Sequence, residues 1–136
     1  TTLNASDKVE SKMIWGIQWD LTCDFISKKG EQKSIKNSIT WGNYDNSTGN
    51  AAAMDGTTQK YGSKQVTGYS EYWKANNIYD LAGNCYEWTQ EAEDAWYRAL
   101  RGGSYKDNGS YYPASDRAYN GPRSDSYSSR PTLIIK

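Results

Sequence analysis

Two acidic residues, Asp80 and Glu87, lie seven positions apart on either side of a turn at Gly83. Carboxylates spaced around a glycine turn can wrap a hard cation such as Ca²⁺, which prefers oxygen ligands. The alternative is that Asp80 makes hydrogen bonds within the turn, while Glu87 pairs with a buried arginine such as Arg101. The sequence leaves both alternatives open.

The chain contains no histidine, and this absence removes several classes of active site. Ser-His-Asp and Cys-His catalysis, and metal sites ligated by histidine, all need an imidazole. Two cysteines, Cys23 and Cys85, are too few for a disulfide scaffold, and a disulfide between them stays open. An enzyme built on this chain would have to rely on carboxylates, tyrosines, lysines or thiols.

The size and charge of the chain favour one folded domain without a highly charged partner. It has 136 residues, with 16 basic residues balancing 16 acidic ones, so no whole-chain charge favours nucleic acid or an anionic membrane. No run of about 20 apolar residues predicts a membrane span. Six Trp and twelve Tyr predict an aromatic-rich core. Because the chain begins without Met, we expect it to be the C-terminal part of a longer protein.

Residues 1–12 are polar and predict a linker or lead-in, followed by one domain over 13–136. Residues 13–28 predict a helix that ends near Gly30 and carries two apolar stripes. One stripe consists of Met13, Ile14, Ile17, Leu21 and Phe25, and the other of Trp15, Trp19, Cys23 and Ile26. Two stripes indicate a helix that is covered on both sides.

Residues 30–76 show no sustained period and predict loops anchored by aromatic side chains. Short strands are predicted at 85–89, 97–101 and 132–136. The tryptophans predicted to anchor the core rather than to bind a ligand are Trp41, Trp73, Trp88 and Trp96.

The segment 105–129 is unusual because it holds five Tyr, six Ser, three Asp and two Asn but no Leu, Ile, Val or Met. This composition is not that of a core-building strand or helix. A disordered tail is the alternative, although the apolar strand predicted after it argues against disorder. Tyrosines among small polar residues are typical of antibody binding loops. The segment therefore predicts a recognition surface carried by loops.

Four stretches of the chain carry motifs that occur together. Residues 77–88 read N-I-Y-D-L-A-G-N-C-Y-E-W, and residues 98–105 read R-A-L-R-G-G-S-Y. With residues 14–26 of the predicted helix and T-W-G-N at 40–43, they resemble the formylglycine-generating-enzyme family. The resemblance implies an α+β, C-type-lectin-like fold with small antiparallel sheets and long irregular loops. The family's first strand and helix have no counterpart here, so one stripe of the helix over 13–28 would need another cover.

The resemblance implies calcium but not copper. The family's calcium ligands would correspond to the side chains of Asp80 and Glu87 and to the carbonyls of Gly83 and Cys85. The two copper-binding cysteines of the oxidases would fall at Asp107 and Tyr112, and neither residue supplies the thiolate that copper(I) needs. The resemblance therefore implies a retained fold without the enzyme chemistry.

A narrower resemblance is to the variable proteins of diversity-generating retroelements, which end in a Tyr/Asn/Ser/Asp-rich segment and a closing strand similar to residues 128–136. It implies a variable region over 101–136, with Lys106 fixed and with Arg101, Arg117 and Arg130 as framework partners for carboxylates. The implied variable, ligand-binding positions are Tyr105, Asp107, Asn108, Tyr111, Tyr112, Ser115, Asp116, Ala118, Tyr119, Asn120, Arg123, Ser124, Asp125, Ser126 and Tyr127.

The function that these observations favour is a non-enzymatic binding domain with a diversified face for a protein or glycan on a cell surface. It would be carried by a phage virion tail or by a bacterial cell surface. The alternative is a lectin of fixed specificity that binds glycans with the help of calcium. The sequence does not identify the ligand or the oligomeric state.

Overall fold

The computed structural model describes residues 9–57, 61–120 and 124–135. In chain order its elements are β1 (Val9–Met13), α1 (Gly16–Lys28), β2 (Lys74–Ala75), β3 (Ile78–Tyr79), β4 (Tyr86–Ala92), β5 (Arg98–Arg101), β6 (Arg117–Asn120), β7 (Tyr127–Ser129) and β8 (Pro131–Ile135). One helix with several small sheets is the α+β class that the sequence predicts. In the described ranges, no helix is both long enough and apolar enough to cross a membrane.

The helix α1 begins later than predicted because the residues before it form a strand. Residues 9–13 pair with β8, so the predicted lead-in over 1–12 is wrong for residues 9–12. Residues 1–8 lie outside the described residues. The Trp15 backbone N–H donates to Gln18 Oε1 at 2.8 Å, which satisfies a backbone group at the start of the helix.

Most of one predicted helix stripe is buried and most of the other is exposed, although Trp15, which was assigned to the first stripe, is 52% exposed. Trp19, Cys23 and Ile26 are covered by the rest of the domain. Ile17 and Leu21, in contrast, are 64% and 62% exposed. Within the described residues, the prediction that the helix is covered on both sides is therefore wrong.

The main sheet has four strands in the order β6-β5-β4-β7. The pairs β4–β5 and β5–β6 are antiparallel, and Glu87 lies opposite Arg101. The pair β4–β7 is parallel, so the sheet is mixed rather than antiparallel throughout as predicted. β1–β8 and β2–β3 form two further antiparallel ladders. The predicted strands near 85–89, 97–101 and 132–136 correspond to β4, β5 and β8.

The core is built on aromatic side chains, as predicted. Trp19, Tyr44 and Trp73 are almost completely buried, and Trp41 lies beside them. The Trp19 indole N–H donates to the Ala114 carbonyl at 2.8 Å, so the ring also anchors the middle of the tyrosine-rich segment. Of the other predicted anchors, Trp88 is only half-buried, and Trp96 is 84% exposed, so it is not a core anchor.

Long loops over residues 30–73 pack onto this core, as the sequence predicts for the region. Asn84 joins them: its side-chain Oδ1 accepts from the Gln65 backbone N–H at 2.9 Å. Its own backbone N–H donates to the Asn43 carbonyl at 2.8 Å. Irregular backbone is therefore held in place by side-chain and loop hydrogen bonds rather than by ladders.

Candidate functional site

The tyrosine-rich segment, residues 105–127, is held to the domain along its first half. The Tyr105 N–H donates to the Asn84 carbonyl, and the Asp45 N–H donates to the Asp107 carbonyl, both at 3.0 Å. The Gly109 N–H donates to Asn46 Oδ1 at 2.8 Å. Within the described residues the segment is thus an ordered path over the core, which differs from the disordered tail that the sequence left as an alternative.

Two strands lie inside this segment, although its composition predicts none. β6 pairs with β5, so that Tyr119 lies opposite Ala99. β7 pairs with β4, and the Tyr127 ring makes edge contacts with Tyr86 and Trp88 at centroid distances of 6.0 and 5.5 Å. These edge strands need no aliphatic residues, because strands β4 and β5 supply the buried side chains.

Three tyrosines of the segment are exposed. Tyr111 is 77% exposed, Tyr112 43% and Tyr119 38%. The Tyr119 hydroxyl lies 3.3 Å from Glu91 Oε1, to which it donates. Ser124 and Asp125 are exposed as well. These five side chains, which we call the exposed set, face solvent.

Three other predicted variable residues are packed or bonded within the domain, and we call Asp107, Ser126 and Tyr127 the anchored set. Asp107 Oδ2 accepts from the Ser104 backbone N–H at 2.9 Å and from its hydroxyl at 2.6 Å. Ser126 is 7% exposed, and its hydroxyl lies 2.9 Å from that of Ser124. Their side chains are therefore part of the domain's own bonding, which the composition of the segment did not reveal.

The remaining predicted positions are partly covered or lie outside the described side chains. Tyr105, Asn108, Ser115, Asp116 and Ala118 are half-buried. Burial raises the pKa of the Asp116 carboxyl, whose Oδ2 is buried without a hydrogen-bond partner among the described residues. The side chain of Asn120 and all of Arg123 lie outside what the structure describes.

Lys106, predicted as a fixed residue, lies at the surface between members of the segment. Its ammonium group pairs with Asp125 Oδ1 at 3.0 Å and lies 5.2 Å from the centre of the Tyr105 ring. Lys106 lowers the pKa of Asp125 through a hydrogen bond and its charge. The pair joins the two ends of the segment across 19 residues of sequence.

Two exposed aromatic residues lie at the end of the β4–β5 hairpin, and the sequence predicted neither as a surface residue. Trp96 is 84% and Tyr97 43% exposed. Both backbone N–H groups donate to Asp94 Oδ1, at 2.7 and 2.9 Å, which makes the turn. Arg98 lies opposite Asn120, so this hairpin end adjoins the end of β6. An Asp two residues before a Trp, in a run of acidic residues, was the signal for a turn.

The framework arginines pair with carboxylates, as the resemblance implies, but with other partners than expected. Arg101 is fully buried and pairs with Asp20. Arg117 bonds Asp20 Oδ2 at 2.7 Å and Glu91 Oε1 at 3.1 Å. Glu87 pairs with Arg130 and not with Arg101, because Arg101 points to the helix.

The structure places the four predicted calcium ligands as follows. Asp80 Oδ2 accepts from the Gly68 N–H at 3.0 Å, whereas its buried Oδ1 has no partner among the described residues. Burial raises the pKa of Asp80 to about 6. Both oxygens of Glu87 accept from Arg130, at 2.8 and 2.6 Å. Gly83 is buried and Cys85 half-buried.

This geometry only partly suits a cation. Asp80 Oδ1 is a carboxylate oxygen without a partner among the described residues. Glu87, in contrast, could ligate the same cation only after its ion pair with Arg130 breaks. In the described ranges no three Asp, Glu, Cys or His side chains gather as metal ligands.

Neither cysteine forms a disulfide. Cys23 is buried and Cys85 half-buried, and both are free thiols. Burial raises the pKa of the Cys23 thiol to about 11, so it stays protonated and unreactive. At Asp107 and Tyr112, the positions that the resemblance matches to the copper ligands, one side chain bonds Ser104 and the other faces solvent.

Comparison with known proteins gives a fold and no family. No family model matches the chain. No curated protein matches it either. Among solved structures it is similar to Treponema denticola variable protein 1, with a TM-score of 0.54 and 15% sequence identity over 96% of this chain and 49% of that one. The likeness shows a shared fold. The chain spans about half the length of that protein.

Proposed function

We propose that this chain is a non-enzymatic ligand-binding domain whose recognition surface is the exposed set of the tyrosine-rich segment. The observation that carries the proposal is the exposure of Tyr111, Tyr112 and Tyr119 in a segment whose backbone is bonded to the core. Rigid rings of this kind supply contact area at a small cost in side-chain entropy. A fixed backbone lowers the ordering cost of binding further.

We infer further that the exposed set is diversified by a retroelement, as in the variable proteins that the sequence resembles. The fold shared with a protein named variable protein 1 supports this. So does the contrast between exposed surface side chains and a frame of bonded residues. The formylglycine-generating-enzyme-like, C-type-lectin-like assignment belongs to the same proposal, and so does a place on a phage virion tail or a bacterial cell surface facing a protein or glycan.

The decisive experiment is to sequence sibling copies of the coding stretch for 101–136 and its neighbourhood. The expected finding is a near-copy beside a reverse transcriptase that differs from this stretch at adenines, with changes concentrated at codons of the exposed set. Identical sequences in all siblings would contradict diversification.

A display library tests binding independently of the genetics. One library randomises Tyr111, Tyr112, Tyr119, Ser124 and Asp125, and a matched library randomises an equal number of exposed residues outside the segment, such as Gln32 and Lys36. Both are selected against one panel of bacterial surface proteins and glycans. Binders should come from the first library; equal yields would contradict the proposed surface.

The calcium-assisted lectin remains a second candidate because Asp80 Oδ1 is a buried oxygen without a partner among the described residues. If a structural calcium ion binds at Asp80, adding CaCl₂ should raise the melting temperature. At a calcium concentration a hundred times the Kd, the free energy of unfolding should increase by about 2.7 kcal/mol. Asp80→Asn should remove the effect. No calcium-dependent shift in the parent chain would exclude the ion.

Chelation distinguishes calcium that takes part in glycan binding from calcium that only stabilises the fold. Glycan binding that EDTA abolishes well below the melting temperature would favour the lectin. Binding through the exposed set should survive EDTA for as long as the domain stays folded.

A further inference from the structure

A cavity of about 330 Å³ lies apart from the tyrosine-rich segment and contains none of its predicted variable residues. Its lining comes from the turn after β1, from α1, from β3 and from the junction of β7 and β8. Ile14, Ile78 and Leu81 supply apolar walls, and Leu81 is fully buried, so the floor of the cavity is continuous with the core. Such a hollow with a few polar groups is the usual form of a small-molecule site.

Arg130 supplies the positive charge in the lining of this cavity, which also contains the polar side chains of Thr22, Thr67 and Asn77. Its Nε and Nη2 donate to Glu87, and Nη2 also donates to the Tyr79 carbonyl at 2.9 Å. The Nη1 amino group has no acceptor among the described residues. Glu87 belongs instead to the lining of a neighbouring hollow of about 240 Å³ that shares Arg130 and Thr67. The guanidinium is therefore fixed from one edge, with donors left over at the other.

The charges around Arg130 select the kind of acceptor. Glu87 already balances the guanidinium, and Asp80 lies close enough to Arg130 and Glu87 to interact with both. A carboxylate ligand would meet these two acidic groups, whereas a neutral carbonyl can accept from Nη1 without adding charge. Thr22 offers no competing donor, because its hydroxyl donates to the Gln18 carbonyl at 2.8 Å.

We propose that this cavity binds a neutral small molecule with an apolar body and an amide-type carbonyl, which accepts a hydrogen bond from Arg130 Nη1. The site lies in the frame, so its ligand is the same whatever the exposed set carries. It is a constant site in a domain whose other site is proposed to change.

The test is a ¹H–¹⁵N NMR titration of the full chain with hexanamide and, separately, with hexanoate. Hexanamide should shift resonances of residues around Ile78 and Arg130 saturably, and hexanoate should bind at least ten-fold more weakly. The absence of saturable shifts with hexanamide would overturn the proposal. Equal or tighter binding of hexanoate would overturn the preference for a neutral ligand.

Two variants and a control locate the site. Thr22→Phe places a ring in the cavity and should weaken hexanamide binding at least ten-fold. Leu21→Phe changes the neighbouring residue, which is 62% exposed and outside the lining, and should leave the affinity unchanged. Arg130→Lys keeps the charge opposite Glu87 but lacks Nη1, so it should weaken binding at least five-fold.

The interpretation of these variants does not depend on the proposed function. Equal affinities for Thr22→Phe and the parent, with both folded by NMR, would place hexanamide elsewhere and overturn the proposal. Tyr111→Ser should not change hexanamide binding, so failure of this site and failure of the tyrosine surface are distinguishable.

Discussion

The exposed set and the anchored set belong to one segment and have the same residue types, yet they differ in what their side chains contact. Tyr111 is 77% exposed, whereas Tyr127 packs edge-on against Tyr86 and Trp88. Asp125 faces solvent and pairs with a surface lysine, whereas Asp107 accepts two hydrogen bonds from Ser104. Residue type alone therefore does not distinguish a solvent-exposed position from one that is packed or bonded within the domain.

The difference shows how such a segment can vary and still fold. Backbone hydrogen bonds and a few side chains hold its path, and the tyrosines between these points contribute little to that path. A side chain of the exposed set can be replaced at small cost in stability. A replacement in the anchored set, or in the backbone beneath it, should lower the free energy of unfolding of the domain.

The largest effect should come from the backbone beneath Tyr112. Gly103 has φ of +72°, and a Cβ there would lie 2.2 Å from the Tyr112 carbonyl oxygen. Gly103→Ala should lower the free energy of unfolding by about 3 kcal/mol or more, through strain and this clash. Chemical denaturation provides the measurement.

Gly56→Ala is the matched control, because Gly56 has φ of +85° with open space around it. It should lower the free energy of unfolding by only about 1 kcal/mol, because an alanine there meets no clash and is strained only by the left-handed backbone. Equal losses in the two variants would show that the close approach to Tyr112 does not constrain the segment.

The second effect is a pH dependence of stability, and its sign should be opposite for Asp80 in the frame and Asp125 at the surface. Burial raises the pKa of Asp80 from near 3.9 to about 6. Its contribution to stability is therefore complete below pH 4 and is lost as the pH rises through 6. The stability of the parent relative to Asp80→Asn should fall by roughly 2–3 kcal/mol between pH 4 and pH 7.5.

The surface carboxylate Asp125 should behave in the opposite way, because Lys106 lowers its pKa. Its contribution is present above its unfolded pKa and is lost as the pH falls. Parallel denaturation series for Asp80→Asn and Asp125→Asn measure both signs. The same sign in the two series would contradict the assignment of one group to the frame and the other to the surface.

The third effect concerns Asp107. Asp107→Ala removes the acceptor of the Ser104 N–H and hydroxyl, and should lower the free energy of unfolding by about 2 kcal/mol. Asp125→Ala provides the comparison from the exposed set and should lower the free energy of unfolding by less than about 0.5 kcal/mol, because it breaks only the surface ion pair with Lys106. If Asp107→Ala is equally silent, Asp107 belongs with the variable positions after all.

The smallest effect on stability is expected for Tyr111→Ser. With 77% of Tyr111 exposed, the change should alter the free energy of unfolding by less than about 0.5 kcal/mol. In a binder selected from the display library, the same change should weaken binding at least ten-fold. A large loss of stability would place Tyr111 in the frame.

Much of the architecture could be predicted because it depends on local patterns. Apolar spacing predicts α1, and the strands β4, β5 and β8 follow from short apolar runs. Trp19, Tyr44 and Trp73 form the aromatic core that the composition predicts. β6 and β7 were not predictable in this way, since partner strands supply their burial and they carry no apolar alternation of their own.

The site was less predictable than the fold, because its positions are sorted by long-range contacts. Nothing in the residue types tells Ser126, which is 7% exposed, from Ser124, which faces solvent. Likewise, the sequence does not say that Glu87 pairs with Arg130 across 43 positions rather than with Arg101 in the adjacent strand. Such pairings follow from how loops meet, and no local period encodes them.

The pairing of β1 with β8 has a consequence for protein synthesis. Met13 lies opposite Pro131 and Val9 opposite Ile135, so the ladder closes only when the codons after the tyrosine-rich segment have been translated. A stop codon or frameshift within the segment removes the partner of β1 together with β7. Nonsense products would then lack a completed domain, and only in-frame versions could present a surface.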